Sequence, residues 1–135
     1  MGGELDGLKI LAAEDNRSSL GLAMTLVRLA GGSPTGVNNG KEAVDAVCSG
    51  QFDAVLMDVQ MPVMDGLQAT QAIRDREATS GTRRLPIIGV TAHALPEHAR
   101  MCREAGMDAV VTKPVDPVRF AATVRSLLDS CWQPE

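Results

Sequence analysis

Short apolar runs alternate with helix-like segments along this 135-residue chain, and that alternation limits the possible folds more than any other feature. The runs of strand length lie near Lys9–Ala13, Thr35–Asn38, Asp53–Met57, Ile87–Val90 and Ala109–Thr112. Strands separated by helices are joined by crossover connections, and such connections produce a parallel sheet. The sequence therefore predicts an α/β fold of five βα units.

The composition of the strands indicates where each one lies in the sheet. The segment around the second run contains Pro34 and Gly36, which lack a backbone donor and a side chain respectively, so this strand is predicted at an edge. Ile87, Ile88 and Val90 instead indicate a central strand that is buried on both faces. Both placements agree with a doubly wound, flavodoxin-like sheet of strand order 2-1-3-4-5.

Residues typical of helix termini mark the intervening helices. Asn39 and Glu42 form a capping pattern for a helix over Lys41–Ser49, which Gly50 terminates. Further starts and stops are Asp65 before a helix from about Leu67 to Arg76, Pro96 and Gly106 around the next helix, and Asp116 with Pro117 before the last.

Charged side chains follow three of the predicted strands. Asp58 comes directly after the third strand, Glu14 and Asp15 follow the first, and Lys113 follows the fifth. In an open α/β sheet the ligand crevice lies outside the carboxyl ends of the strands, here between the first and third. We therefore expect three acids and one lysine to converge there. Thr91, at the end of the fourth strand, would offer its hydroxyl to the same place.

Such a cluster favours a particular chemistry. Three neighbouring carboxylates repel one another and stay ionised only with a cation among them. A hard divalent cation with oxygen ligands, Mg²⁺ (or Mn²⁺), meets that need and leaves positions for phosphoryl oxygens. An aspartate can attack phosphorus to give an acyl phosphate, while a fixed lysine and the metal neutralise the transferring oxygens. The pattern predicts phosphoryl transfer to Asp58, assisted by Lys113.

Composition excludes several other functions. Lys and Arg total 13 against 17 Asp and Glu, a net charge of -4 without a basic block, so direct nucleic-acid binding is not expected. No apolar stretch approaches the ~20 residues that cross a bilayer, which favours a cytoplasmic domain without membrane contact. The length suits a single domain over residues 1–135, with a core from about 8 to 128.

Four segments, taken in order, resemble a known family. They are Ala13-Glu14-Asp15-Asn16, Met57 through Gly66, Val90 through Ala94, and Ala105-Gly106-Met107-Asp108 together with Lys113-Pro114. This series is similar to the response-regulator receiver domain, and the resemblance runs from about Leu8 to Leu128. The segments Gln60 to Gly66 and Thr91 to Ala94 look most like receivers of hybrid sensor histidine kinases.

The resemblance implies a role for each residue of the cluster. It makes Asp58 the phosphoacceptor and Lys113 the residue that pairs with the phosphoryl group, and it makes Thr91 the switch hydroxyl. The metal ligands would be Glu14, Asp15, Asp58 and the backbone carbonyl of Gln60. It also implies a cis peptide bond between Lys113 and Pro114. A receiver catalyses its own phosphorylation and dephosphorylation, and is not a turnover enzyme by itself.

The resemblance implies partners as well. The phosphoryl donor would be a phosphohistidine protein: a histidine kinase, a histidine phosphotransfer domain, or both. We expect this donor to dock on the first helix near Leu20 and Met24, and the domain to be a monomer or a weak dimer. As part of a hybrid kinase, the domain would lie on the cytoplasmic side of a membrane-bound protein. The alternative is a freestanding single-domain response regulator.

One position departs from the family pattern. Receivers usually carry Tyr or Phe three residues before the lysine, where this chain has Val110. A small, stiff side chain has little to swing, so we expect the domain to pass its phosphoryl group on rather than drive a large output change.

Two other classes fit the sequence less well. An aspartyl-nucleophile phosphatase of the haloacid-dehalogenase type needs a second Asp two residues after the nucleophile, where Gln60 stands. A flavodoxin-like flavin binder needs a Gly-rich or hydroxyl-rich loop after the first strand. Glu14 and Asp15 in that loop would repel the flavin phosphate.

Overall fold

The computed structural model describes residues 5–59, 61, 63–81, 84–92, 95–113 and 115–131, with all side chains in these ranges except those of 117 and 129–131. Strands and helices alternate throughout, as predicted. The strands are β1 (Lys9–Ala13), β2 (Ser33–Val37), β3 (Ala54–Asp58), β4 (Ile87–Thr91) and β5 (Ala109–Thr112). The helices are α1 (Arg17–Leu29), α2 (Gly40–Ser49), α3 (Gly66–Ser80), α4 (Pro96–Ala105) and α5 (Pro117–Cys131).

The five strands form one parallel sheet in the order β2-β1-β3-β4-β5, which confirms the flavodoxin-like arrangement. Strand β2 lies at an edge, as its proline and glycine predicted, and every residue of β4 is buried. Strand β2 begins at Ser33 rather than Thr35, so Pro34 lies within it. An edge strand can include proline because one of its sides has no partner that needs the missing donor.

Among the other boundaries that differ from the sequence prediction, two have a clear structural cause. Strand β3 includes Asp58 because pairing with β4 continues to this residue, and the next N–H, of Val59, donates to the Val90 carbonyl at 2.9 Å. Helix α3 continues to Ser80 because Gly81 is the residue that adopts the left-handed conformation, with φ 71°, and closes the helix.

The sheet has a hydrophobic layer on each face. Leu56 of β3 packs with Phe120 and Val124 of α5 on one face, and all three are nearly inaccessible to solvent. Its neighbours Val55 and Met57 point to the other face, where they pack with Ile73 of α3. Consecutive residues of a strand point to opposite faces, so a strand with both faces covered is apolar throughout.

Helix α1 packs over the edge strand through two half-buried side chains. A Cβ at Gly36 of β2 would lie 2.8 Å from Met24 Sδ and 3.2 Å from both terminal carbons of Leu20. The absence of a side chain at Gly36 therefore makes room for Leu20 and Met24. These two residues hold α1 against the sheet.

Helix α3 begins directly against the end of β3. Asp65 and Gln68 form a reciprocal capping box, which confirms the predicted cap. The N–H of Gly66 donates to the Val59 carbonyl at 2.9 Å. A Cβ at Gly66 would overlap the carbonyl oxygen of Asp58, so glycine is required for this close approach.

The substitution Gly66→Ala should therefore destabilise the domain and displace Asp58. We expect a loss of about 1 to 3 kcal/mol in the free energy of unfolding, as for other overpacked sites, measured by urea titration. Gly21→Ala in α1 is the matched control, because the space that its added methyl group would occupy is open, and it should gain about 0.5 to 1 kcal/mol. A Gly66→Ala variant as stable as the parent chain would contradict the close approach.

Candidate functional site

The register of the sheet brings the predicted residues to one edge. Ala13 of β1 lies opposite Met57 of β3, so the residues that follow them, Glu14 and Asp58, are neighbours. Asp58 in turn lies opposite Val90, one residue before Thr91. All these side chains sit at the carboxyl ends of adjacent parallel strands, where an open α/β sheet binds its ligands.

Lys113 forms ion pairs with two of the acids. Its Nζ lies 3.1 Å from Glu14 Oε2 and 3.4 Å from Asp58 Oδ2. The two carboxylates are almost buried, whereas the Lys113 side chain is 34% exposed. The lysine thus reaches in from solvent between two acids, and its ammonium group is the positive charge that they share.

Backbone hydrogen bonds fix the positions of Thr91 and Lys113. The N–H of Lys113 donates to the Thr91 carbonyl at 2.8 Å, which joins the ends of β4 and β5. Thr91 is buried. The residues predicted to meet the phosphoryl group are therefore held by the sheet itself rather than by a separate loop.

Three carboxylates form a cluster that can hold a metal ion. One oxygen from each of Glu14, Asp15 and Asp58 lies within 4.8 Å of the other two. Asp15 is exposed, and the other two are buried. An all-oxygen set with an open side suits a hard divalent cation that keeps several water ligands, as Mg²⁺ does.

Electrostatics within the cluster favour such an ion. Burial, together with the neighbouring Asp58 carboxylate, raises the pKa of Glu14 despite the opposing effect of Lys113. Burial would lower the pKa of Lys113, but its hydrogen bond to Glu14 and the charges of Asp58 and Glu14 outweigh that effect and raise the pKa. Lys113 is thus cationic, and ionisation of the buried Glu14 beside Asp58 has an electrostatic cost that a further cation would reduce.

One contributing residue was not identified from the sequence. The backbone N–H of Asn16 donates to Glu14 Oε1 at 3.2 Å, and the Asn16 side chain accepts from the N–H of Ser19 at 2.9 Å. Asn16 therefore caps α1 and orients a proposed metal ligand at the same time. The sequence does indicate its capping role, because Asn is a favoured N-cap residue and Asn16 directly precedes the first helix.

The structure thus brings Glu14, Asp15, Asp58 and Lys113 together and places Thr91 at the same edge. The expected carbonyl ligand at Gln60 and the expected cis bond at Pro114 lie outside the described residues. Val110 is half-buried in β5, opposite Gly89 of β4.

Comparison with known proteins identifies the class. The family model of the response regulator receiver domain matches residues 10–125, and the chain belongs to this family. In the part of the chain that the structure describes, no helix combines the length and the apolar character needed to cross a bilayer.

Two relatives differ in how much of their length this chain covers. Sensor protein GacS of Pseudomonas syringae pv. syringae is 44% identical over 116 residues, which cover 86% of this chain and 13% of that protein. The polar-differentiation response regulator DivK of Brucella anthropi is 32% identical over 119 residues, or 88% of this chain and 94% of DivK. The chain thus spans a small part of the sensor protein and almost all of the response regulator.

Two solved structures share the fold. The receiver domain of a sensor histidine kinase from Pseudomonas aeruginosa PAO1, with a magnesium ion coordinated in its active site cleft, is 35% identical with a TM-score of 0.82, covering 92% of this chain and 99% of that one. The receiver domain of Ssk1 from Saccharomyces cerevisiae, crystallised with the histidine phosphotransfer protein Ypd1, is 26% identical with a TM-score of 0.83, covering 89% and 88%.

Proposed function

We propose that this domain accepts a phosphoryl group from a phosphohistidine protein onto Asp58, with Mg²⁺ held by Glu14, Asp15 and Asp58. The observation that carries the proposal is the convergence of three carboxylates and Lys113 at one edge of the sheet. The magnesium ion in the similar Pseudomonas aeruginosa receiver supports the choice of metal. The role of Gln60 as a fourth ligand, through its carbonyl, is part of the same proposal.

Each residue of the site would have a separate role in the proposed transfer. A carboxylate oxygen of Asp58 forms the new O–P bond while the P–N bond of the donor breaks, and the imidazole leaves with the bonding electron pair. Lys113 already lies 3.4 Å from Asp58 Oδ2, so its charge adjoins the oxygens of the arriving phosphoryl group. Thr91 would donate its hydroxyl to one of those oxygens. A bound Mg²⁺ would supply the remaining charge neutralisation.

Asp58 is expected to be the sole phosphorylation site, and labelling should require a divalent metal. Acetyl phosphate with Mg²⁺ should add one phosphoryl mass to the parent chain, read by intact-protein mass spectrometry. Asp58→Asn should abolish the addition, and a chelator should prevent it, because the clustered acids would then lack their cation. Asp45→Asn, on the exposed side of α2, is the control and should label normally. Labelling of Asp58→Asn would overturn the assignment.

The natural context favoured by the comparisons is a hybrid histidine kinase. The 44% identity to the sensor protein GacS, of which the match covers 13%, exceeds the 32% identity to the response regulator DivK. In that context the unit from about residue 8 to 128 would act as the receiver module on the cytoplasmic side of its parent protein. The nearly full-length match to DivK keeps a freestanding regulator as the second candidate.

The donor is proposed to dock on α1, but not through the two residues that the sequence suggested. Leu20 and Met24 are half-buried over Gly36 and face β2. Leu22, which is 55% exposed, lines a cavity shared with Glu14 and Asp58 and therefore lies beside the acids. The complex of Ypd1 with the Ssk1 receiver supports a phosphotransfer protein as one form of this donor.

A neutral polar side chain at Leu22 should therefore slow transfer from a protein donor only. We expect Leu22→Gln to reduce the transfer rate from a phosphohistidine donor about tenfold, the equivalent of one lost apolar contact worth about 1.4 kcal/mol. Labelling by acetyl phosphate should not change, because the substitution adds no charge beside the acids. Val118→Gln on α5 is the matched control, since Val118 is 77% exposed and is absent from the cavity lining. Equal transfer rates for both variants and the parent chain would remove this part of α1 from the docking surface.

Val110 leads us to propose a relay role with a small conformational response. Phosphorylation adds roughly 1.5 to 2 negative charges near Thr91 and Lys113. Val110 has one favoured rotamer and little area to bury, so phosphorylation should interact almost equally with the two states of the domain and shift their equilibrium little. The domain would then remain a monomer or a weak dimer in both states.

Adding beryllofluoride and Mg²⁺, which mimic the phosphoryl group, should test this role. We expect sedimentation to show no strong dimer and amide chemical shifts to change mainly around the acidic cluster. Val110→Tyr should increase the shifts on β5 and α4 by restoring an aromatic ring. Strong dimerisation of the parent chain would show that another switch replaces the ring, and the relay role would be wrong.

A further inference from the structure

A cavity of about 330 Å³ opens beside the acidic cluster, between α1 and the connection from β5 to α5. Its floor is formed by Ala12, Leu56 and Val90 of the sheet. Its sides are Leu22, Ala23 and Leu26 of α1 and, on the opposite side, Val115. The volume is within the range of small-molecule sites.

Small side chains line the space: Ala12, Ala13 and Ala23 are all among its walls. Ala12 is almost fully buried, and Ala23 lies on the side of α1 that packs against the core. Protein interiors normally leave few voids larger than a water molecule. An apolar space of this kind receives an apolar group more readily than water, since water would find few partners on its walls.

The mouth of the cavity is charged, and its charge defines the complementary ligand. Glu14, Asp58 and Lys113 line this end, so two carboxylates face one ammonium group, and Asp15 adds a third acid nearby. The hydroxyl of Ser19 is a further polar group at the lining. A ligand that fits both ends combines an apolar body with a positively charged head.

We propose that this cavity is a binding site for a small amphipathic cation, such as an ammonium or amidinium group on a compact apolar body. The body would lie between α1 and Val115, and the head would pair with Glu14 and Asp58. Because these carboxylates are also the proposed metal ligands, the cation and the divalent metal exclude one another. Each therefore lowers the apparent affinity of the other by direct competition for the same carboxylates. A bound cation would slow phosphorylation of Asp58, and this consequence rests on the function proposed above. Binding of the cation does not depend on that function.

Three aromatic probes of similar size and different charge separate the contribution of the apolar cavity from that of the acids. Benzylamine, benzyl alcohol and benzoate are titrated into the isotope-labelled 135-residue chain without divalent metal, and amide chemical shifts are followed. Benzylamine should shift signals of Ala12, Ala23 and Val115 and saturate in the millimolar range. Benzyl alcohol should bind about tenfold more weakly, the difference made by a charge-assisted hydrogen bond, and benzoate more weakly still. Equal binding of all three would refute the charge complementarity.

Filling the cavity tests the location. Ala23→Leu should weaken benzylamine binding at least about tenfold, while Ala78→Leu, the same change at an exposed position of α3, should leave it unaltered. If Ala23→Leu unfolds, Val115→Phe closes the same space from the other side. Binding that survives both fillings would place the amine at the acids alone and overturn the proposal.

Metal and phosphorylation assays keep this proposal separate from the proposed function. Mg²⁺ should raise the apparent dissociation constant of benzylamine, and Ala23→Leu should still be labelled by acetyl phosphate. Amine binding without any labelling of Asp58 would contradict the receiver function and leave the cavity site standing. If no amine binds but Ala23→Leu slows transfer from a phosphohistidine protein, the cavity belongs to the protein-docking surface and the ligand site is wrong.

Discussion

Repulsion among like charges at one edge of a parallel sheet is the constraint on which this domain depends. Pairing of β1 with β3 places Glu14 beside Asp58, and the oxygens of Glu14, Asp15 and Asp58 all lie within 4.8 Å of one another. Such a group is stable only with positive charge in its midst. Lys113 supplies part of it from the end of β5, while burial, together with the neighbouring Asp58, raises the pKa of Glu14.

The scaffold holds this charged edge by close backbone approaches. Gly66 lets α3 begin against the carbonyl of Asp58, and the N–H of Gly40 donates to the Met64 carbonyl, which ties α2 to the connection between β3 and α3. The N–H of Lys113 donates to the Thr91 carbonyl on the other side. The side chains of the proposed site are therefore already in position, so the proposed phosphoryl transfer would need little reorganisation.

Helix α1 has two sides with different consequences for function. One side carries Leu20 and Met24, which fill the space above Gly36 and stabilise the edge of the sheet. The other side carries Leu22 and Ala23, which border the cavity beside Asp58. A partner or ligand that approaches Asp58, the proposed phosphoacceptor, would meet the second side, so one helix would serve both packing and recognition.

The sequence by itself determined the architecture and the composition of the site. Apolar runs bounded by turn residues located all five strands, Pro34 and Gly36 put β2 at an edge, and charged residues after β1, β3 and β5 identified the acids and Lys113. These features can be read locally, because a strand buried on both faces is a continuous apolar run and its end is followed directly by polar or turn residues.

Only the tertiary structure decided how α1 divides its apolar residues. Leu20 and Met24 are half-buried and pack over Gly36, which is distant in the sequence, whereas Leu22 is 55% exposed. The cavity beside Asp58, likewise, is lined by residues of three strands, a helix and the connection after β5, among them three alanines. Packing depends on the volumes of side chains brought together from separate segments, and a one-dimensional pattern does not contain that information.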